Sequence, residues 1–191
     1  MAHLSIIGTG NMGQAIAAVA TKGGHTVQRL GSKDQATAAT GDIVVLAVPY
    51  PAVSTVLAER AASLAGKVVV DITNPLNFET FDSLTVPADG SAAEEITSAL
   101  PHSRVLKAFN TNFASTLAAG TVGALTTTVS IAGDDAEAKA ALAEVITSAG
   151  LKAVDAGSLK RARELEALGF LQITLAAYEQ ISWTGGFGIV A

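Results

Sequence analysis

The sequence predicts an α/β fold of Rossmann type, a doubly wound, mainly parallel sheet followed by a C-terminal helix and tail. Three observations carry that expectation. Short β-rich runs alternate with helical stretches through the first half of the chain, the pattern of parallel strands joined by crossover helices. The runs Ile43 to Val48 and Val68 to Val70 are almost continuously apolar, as strands covered on both faces require. Finally, Gly8-x-Gly10-x-x-Gly13 follows the first apolar run directly and opens a helix of Ala, Ile and Val. In that context three glycines form a phosphate-binding turn.

Strands are expected near residues 3–8, 26–30, 42–48, 67–72, 104–109, 127–132 and 151–155, with helices over 11–23, 51–64, 91–100, 134–149 and 159–180. Pro51 suits a first helical position, where its missing N–H costs nothing. Ser91 with Glu94, and Asp134 with Glu137, have capping-box spacing. The segment from Asn74 to Gly90 reads as a long loop of the kind that often carries function. Between Gly31 and Asp42 only about a dozen residues are available, near the minimum for a parallel crossover. One helical turn at most fits there, which leaves the second strand poorly covered, in keeping with its Gln28 and Arg29. Residues 1–157 form the expected nucleotide-binding domain. Residues 158–191 form a helical segment and tail that complete an acceptor pocket or a dimer interface.

A chain of 191 residues, 49% hydrophobic and 15% charged, makes one well-packed domain. The net charge of −5 and a single short basic cluster, Lys160-Arg161 with Arg163, exclude a nucleic-acid partner. No apolar run is long enough to span a bilayer, so no membrane partner is expected, and no signal peptide is expected from the opening residues. With no cysteine there is no disulfide framework or thiolate site, and a cytoplasmic location is the default. His3, His25 and His102 lack metal-ligand spacing, and no metal is expected.

The glycines of the first loop serve three ends, namely a tight turn, close approach to pyrophosphate, and close helix–strand contact. The candidate phosphate loop is therefore Gly8, Thr9, Gly10, Asn11, Met12 and Gly13, with the helix N-terminus adding free N–H groups. After the second strand an acidic residue selects NAD and a basic one accommodates the 2′-phosphate of NADP. Here Ser32 and Lys33 follow Gly31, and the sequence favours NADP(H). Arg29 either assists or covers the sheet edge; Asp34 either orients Lys33 or caps a helix. Ligands of open α/β sheets bind at the carboxyl ends of strands. Ala47, Val48, Pro49 and Tyr50 occupy one such end, Thr73 and Asn74 a second, and Asn110 and Thr111 a third. Together they predict a neutral, hydrogen-bonding pocket, with Ala47, Val48, Pro49, Tyr50 and Asn74 against the cofactor and Asn74, Asn110 and Thr111 as candidate positioning residues.

Taken together, these segments resemble the NADPH-dependent reductases of the deazaflavin coenzyme F420. The likeness runs through Gly8-Thr9-Gly10-Asn11-Met12-Gly13, Gly31-Ser32-Lys33, Ala47-Val48-Pro49, Asp71-Ile72-Thr73-Asn74-Pro75-Leu76 and Val105 to Thr111. It continues from Asp155-Ala156-Gly157 to Ala162-Arg163-Glu164-Leu165-Glu166. The resemblance implies direct hydride transfer between the nicotinamide and a flavin-like or deazaflavin acceptor, with the protein positioning both and excluding water. It also implies Ser32 and Lys33 at the 2′-phosphate. The truncated segment after Lys33 lacks the second basic residue typical of that site. Alternatives are an NADPH sensor without turnover, or a reductase of small carbonyl or imine substrates. Related hydroxyacid dehydrogenases and pyrroline-carboxylate reductases carry a longer helical C-terminal part.

Lys160 with Glu164, and Arg163 with Glu166, have the spacing of helix-surface ion pairs. Further on, Leu168, Phe170, Leu171, Ile173 and Leu175 are apolar around the helix, which requires burial on all sides. With the tail from Ile181 to Val190, this helix is expected in a homodimer interface, the tail alternatively edging the acceptor pocket.

Overall fold

The computed structural model describes residues 1–190. Seven strands form one sheet in the order β2-β1-β3-β4-β5-β8-β9. These are β1 (His3–Ile7), β2 (Thr26–Leu30), β3 (Ile43–Leu46), β4 (Val68–Asp71), β5 (Arg104–Ala108), β8 (Thr128–Gly133) and β9 (Lys152–Gly157). All neighbours pair in parallel except β5 with β8, which are antiparallel. The order in which strands are added reverses between β1 and β3, so the switch point lies at the ends of those strands.

Side chains alternate between two cores, as strands covered on both faces must. Leu4, Ile6, Ile43, Val45, Val68 and Val70 face one layer, which holds α1 (Asn11–Lys22), α4 (Ala114–Ala119) and α5 (Ala136–Ser148). Ile7, Val44, Leu46 and Val69 face the other, with α2 (Val53–Leu64) and α3 (Ala92–Ala99). A turn of 3-10 helix at Leu159–Arg161 leads into α6 (Ala162–Ala177). Among the described residues no helix is long and apolar enough to cross a membrane.

Side-chain caps begin two of the helices. Ser91 caps α3 by accepting the Glu94 N–H at 3.2 Å, as its spacing predicts. The second expected box is displaced by one residue. Asp135 caps α5 by accepting the Ala138 N–H at 2.8 Å, and Asp134 instead accepts the Leu159 N–H at 2.9 Å. Helix α4 and the hairpin of β6 (Thr121–Val122) and β7 (Leu125–Thr126) fill a stretch in which the sequence pattern shows no element.

The segment from Gly31 to Asp42 contains turns and no helix, and side chains hold it instead. Ser5, inside β1, donates to Gln28 Oε1 at 2.6 Å and accepts the Gly41 N–H at 2.8 Å. Gln28 also accepts the Thr40 N–H at 2.9 Å, and Lys67 donates to the Gly41 carbonyl at 2.6 Å. The polar residues of the short crossover are thus its scaffold.

Helix α6 departs from the expected surface pairing. Glu166 is fully buried and does not meet Arg163; the ion pair in this turn joins Arg161 to Glu164 at 3.3 Å. Its buried face carries Leu165, Glu166, Gly169, Gln172 and Ala176, while Leu168 and Leu171 are 37% and 49% exposed.

Candidate functional site

The glycine loop sits at the switch point, and the three glycines do different things. Gly8 has φ +122°, and a Cβ there would lie 2.0 Å from the Ala47 carbonyl oxygen, so the turn closes against the end of β3. A Cβ on Gly13 would lie 2.4 Å from the Gly8 oxygen, which packs α1 directly onto the loop. A Cβ on Gly10 would meet nothing within 4 Å. That open position begins α1, whose N-terminus has no side-chain cap, leaving first-turn N–H groups for an anion.

Ser32 and Lys33 are exposed on the turn after β2, and among the described residues neither side chain has a hydrogen-bond or ion-pair partner. Asp34 turns back and accepts the Gly31 N–H at 2.8 Å. It neither orients Lys33 nor caps a helix, because the segment contains none. Gly31 brings this turn to the glycine loop: a Cβ there would lie 3.4 Å from Thr9 Cγ2. Arg29 is exposed on edge strand β2.

Beside the glycine loop lies a cavity of about 460 Å³. Asn11 and Met12 bound it on one side, Ile72, Asn74, Asn110 and Asn112 line the strand ends, and Phe78, Ile173, Trp183 and Thr184 close it. Its lining residues carry no formal charge. Asn74 donates to the Asn110 carbonyl at 2.9 Å, and Asn110 Nδ2 donates to Asn74 Oδ1 at 3.0 Å and to the Leu165 carbonyl at 2.8 Å. Backbone carbonyls therefore fix both amide orientations. Gly169 permits this contact, since a Cβ there would lie 2.3 Å from Asn74 Oδ1. Phe109, buried with φ +62°, turns the chain at the end of β5; a bulky residue held there indicates strain maintained by the surroundings.

Thr111 lies outside the cavity; its carbonyl accepts from Gln172 Nε2 at 3.1 Å. Asn112, missing from the sequence expectation, lines the cavity and donates to the Thr128 carbonyl at 3.0 Å. Its signal is the continuing polar run after Asn110. Trp183 lines the cavity as part of the tail, for which the sequence leaves open the pocket edge or a dimer interface. Its ring meets Phe113 at 5.0 Å, and Ser115 donates to its carbonyl at 2.5 Å. Tyr50 lines a separate groove between α2 and α3 and hydrogen-bonds Glu95. Burial, then Glu95, raise its hydroxyl above the usual tyrosine range. Of the other residues at that strand end, Ala47 and Val48 pack against the two cores, and Pro49 precedes the short 3-10 turn.

Beneath the cavity, Lys107 is wholly buried between Asp71 at 2.7 Å and Glu166 at 2.8 Å. It also donates to the Thr73 carbonyl at 2.6 Å, while Glu166 accepts the Ala92 N–H at 3.0 Å. Strands β4 and β5, helix α3 and helix α6 are tied at one point, just before Asn74. Burial pushes the Glu166 carboxyl up, with Lys107 pulling in the opposite direction. A lysine among Val105, Leu106 and Ala108 is the available sequence signal.

The family described as NADP oxidoreductase, coenzyme F420-dependent, matches residues 27–75. The F420-dependent NADP reductase of Methanocaldococcus jannaschii is 30% identical over 160 residues, covering 82% of this chain and 71% of that one. The crystal structure of a candidate F420-dependent NADP-reductase from Arthrobacter sp. FB24 superposes with a TM-score of 0.86 at 26% identity, covering 100% of both chains. A reductive aminase from Aspergillus terreus, solved with NADPH and ethyl levulinate, shares the fold at 18% identity and a TM-score of 0.65, over 94% of this chain and 63% of that one. Fold and comparisons together define a Rossmann-type, NADP-dependent oxidoreductase. The chain belongs to the family of coenzyme F420-dependent NADP oxidoreductases.

Proposed function

We propose that this protein transfers hydride between NADP(H) and a flat, flavin-like or deazaflavin acceptor of the coenzyme F420 type. The observation that carries the reading is the uncharged cavity between the glycine loop and the tail. Residues 1–157 hold the nucleotide, and residues 158–191 complete the acceptor pocket.

The residues present fit the nucleotide. Free N–H groups at the start of α1 and the open space at Gly10 suit a pyrophosphate, with Thr9, Asn11 and Met12 alongside. Ser32 and Lys33, without protein partners, receive the 2′-phosphate. Ala47, Val48 and Pro49 form the floor where the switch-point crevice opens. The bound nicotinamide supplies the hydride. Asn74 and Asn110 hold one wall of the cavity rigid, while Phe78, Ile173 and Trp183 exclude water. Positioning suffices for transfer between two rings held in contact, and no side-chain acid or base is required.

Loss of NADPH absorbance against a panel of deazaflavin, flavins, quinones, small carbonyls and imines tests the reading. Turnover confined to the deazaflavin or flavins is expected. Turnover confined to carbonyls or imines would replace that acceptor, and binding with no turnover would make the protein a sensor. The variant Lys33→Glu is expected to weaken NADPH and spare NADH.

We also propose a homodimer, supported by the outward-facing Leu168 and Leu171 of α6 and Phe187 of the tail. Light scattering that gives a monomer mass at micromolar concentration would remove it.

A further inference from the structure

Arg60 is a buried cation that the proposed function does not use. It lies on α2 and is 5% exposed. Its guanidinium donates to the Thr37 carbonyl at 2.5 Å and to the Asp34 carbonyl at 2.6 Å. Among the described residues no carboxylate lies within ion-pair distance of it; the ion pairs present use Lys107, Lys139 and Arg161. Backbone carbonyls solvate a buried guanidinium only in part, so the charge is left without a counter-ion. The nearest acidic side chain in sequence to its contacts, Asp34, is turned onto the Gly31 N–H.

The segment that Arg60 grips is the short crossover bearing Ser32 and Lys33. We infer that Arg60 is a specificity-determining residue for a ribose 2′-phosphate. From α2, through its bonds to the Asp34 and Thr37 carbonyls, it supplies the second positive charge that the shortened crossover does not carry in its own sequence. This inference rests on the placement of the 2′-phosphate at Ser32 and Lys33. An anion at that turn provides the counter-charge Arg60 lacks, and a partly desolvated cation acts through less screening than an exposed one. Its two carbonyl bonds also hold the turn in the shape that presents Lys33.

Titration of the purified protein with 2′,5′-ADP and 5′-ADP, by calorimetry, separates charge from bracing. The variant Arg60→Met is expected to lose roughly tenfold in affinity for 2′,5′-ADP and less than about twofold for 5′-ADP. Arg60→Lys, which keeps the charge and loses the paired carbonyl contact, is expected to retain most of the ratio between the two ligands. Equal losses for both ligands in Arg60→Met, or a ratio in Arg60→Lys no better than in Arg60→Met, would overturn the inference and leave the NADP reading standing. A wild-type protein without preference for 2′,5′-ADP would overturn both. Should Arg60→Met not fold, Lys33→Gln decides. A residual preference for 2′,5′-ADP that largely survives added salt is expected, and the absence of any preference in Lys33→Gln would overturn the role of Arg60.

Discussion

Lys107 Nζ lies 2.8 Å from the Glu166 carboxylate, and neither side chain is exposed. The pair joins the central sheet to the helix that closes the cavity, and Asp71 completes the cluster from β4 at 2.7 Å. Removing the shared cation leaves two buried carboxyl groups without compensation, a change that costs about 3–5 kcal/mol. Lys107→Met is therefore expected to lower the unfolding free energy by about that amount, read by urea denaturation. Glu166→Gln, which leaves the Lys107–Asp71 pair intact, is expected to cost less. Equal stability of Lys107→Met and wild type would show that the cluster holds nothing together.

Burial raises the Glu166 carboxyl in the folded state, which gives its stability contribution a definite sign. Such a group contributes fully below its unfolded pKa, about 4.3, and loses that contribution as pH climbs through the raised folded value. The difference in unfolding free energy between wild type and Glu166→Gln should fall with rising pH over this window, then level off. Asp155, held low by Lys139, has the opposite sign and cancels in the difference. A difference that grows with pH would contradict the assignment.

The parallel sheet and its glycine turn were legible because they follow from short-range pattern. Leu4 to Ile7 is an apolar run, and Gly8, Gly10 and Gly13 have meaning only in one local geometry. The antiparallel β8 was visible as a strand but not in direction, since direction is set by how Leu106 to Ala108 pair with Ile131 to Gly133. Spacing alone paired Glu166 with Arg163, because nothing near it in sequence reveals Lys107, 59 positions earlier. The shift of a cap from Asp134 to Asp135 has the same origin: Asp134 is taken by the Leu159 N–H. Asn74 and Asn110 were legible as strand-end polar residues, whereas their mutual bonds depend on the close approach of Gly169.

The contrast among the glycines gives a sharp mutational test. Gly10→Ala adds a methyl where nothing lies within 4 Å and where φ is −70°, so stability should change by less than about 1 kcal/mol. NADPH affinity should nevertheless fall at least about tenfold, because the added methyl enters the space left for pyrophosphate. Gly8→Ala forces a methyl against the Ala47 carbonyl at an unfavourable φ, and should unfold the loop or the protein. Thermal melts with NADPH titration separate the two. Undiminished NADPH binding by Gly10→Ala would exclude the loop as the pyrophosphate site.

Gly169→Ala examines the other side of the cavity. Its methyl would lie 2.3 Å from Asn74 Oδ1 and 3.0 Å from Asn110 Nδ2, so the amide pair must separate or α6 must shift. The expected result is slower turnover with the active acceptor and nearly unchanged NADPH affinity, measured by steady-state kinetics and direct titration. Loss of NADPH binding instead would place the Asn pair against the nucleotide rather than the acceptor.

Trp183 is 53% exposed, yet it is held in the cavity wall by Phe113 at 5.0 Å and by the Ser115 hydrogen bond to its carbonyl. An indole that covers little core but faces a cavity contributes modestly to folding and offers an aromatic surface to a flat ring. Trp183→Ala should therefore change stability by less than about 1 kcal/mol. With a deazaflavin or flavin acceptor, kcat/KM should drop roughly tenfold while the KM for NADPH holds. Trp183→Phe, which keeps a ring against Phe113, should recover much of the loss. A variant with both substrates' parameters unchanged would remove the tail from the acceptor pocket, and α6 alone would then close it.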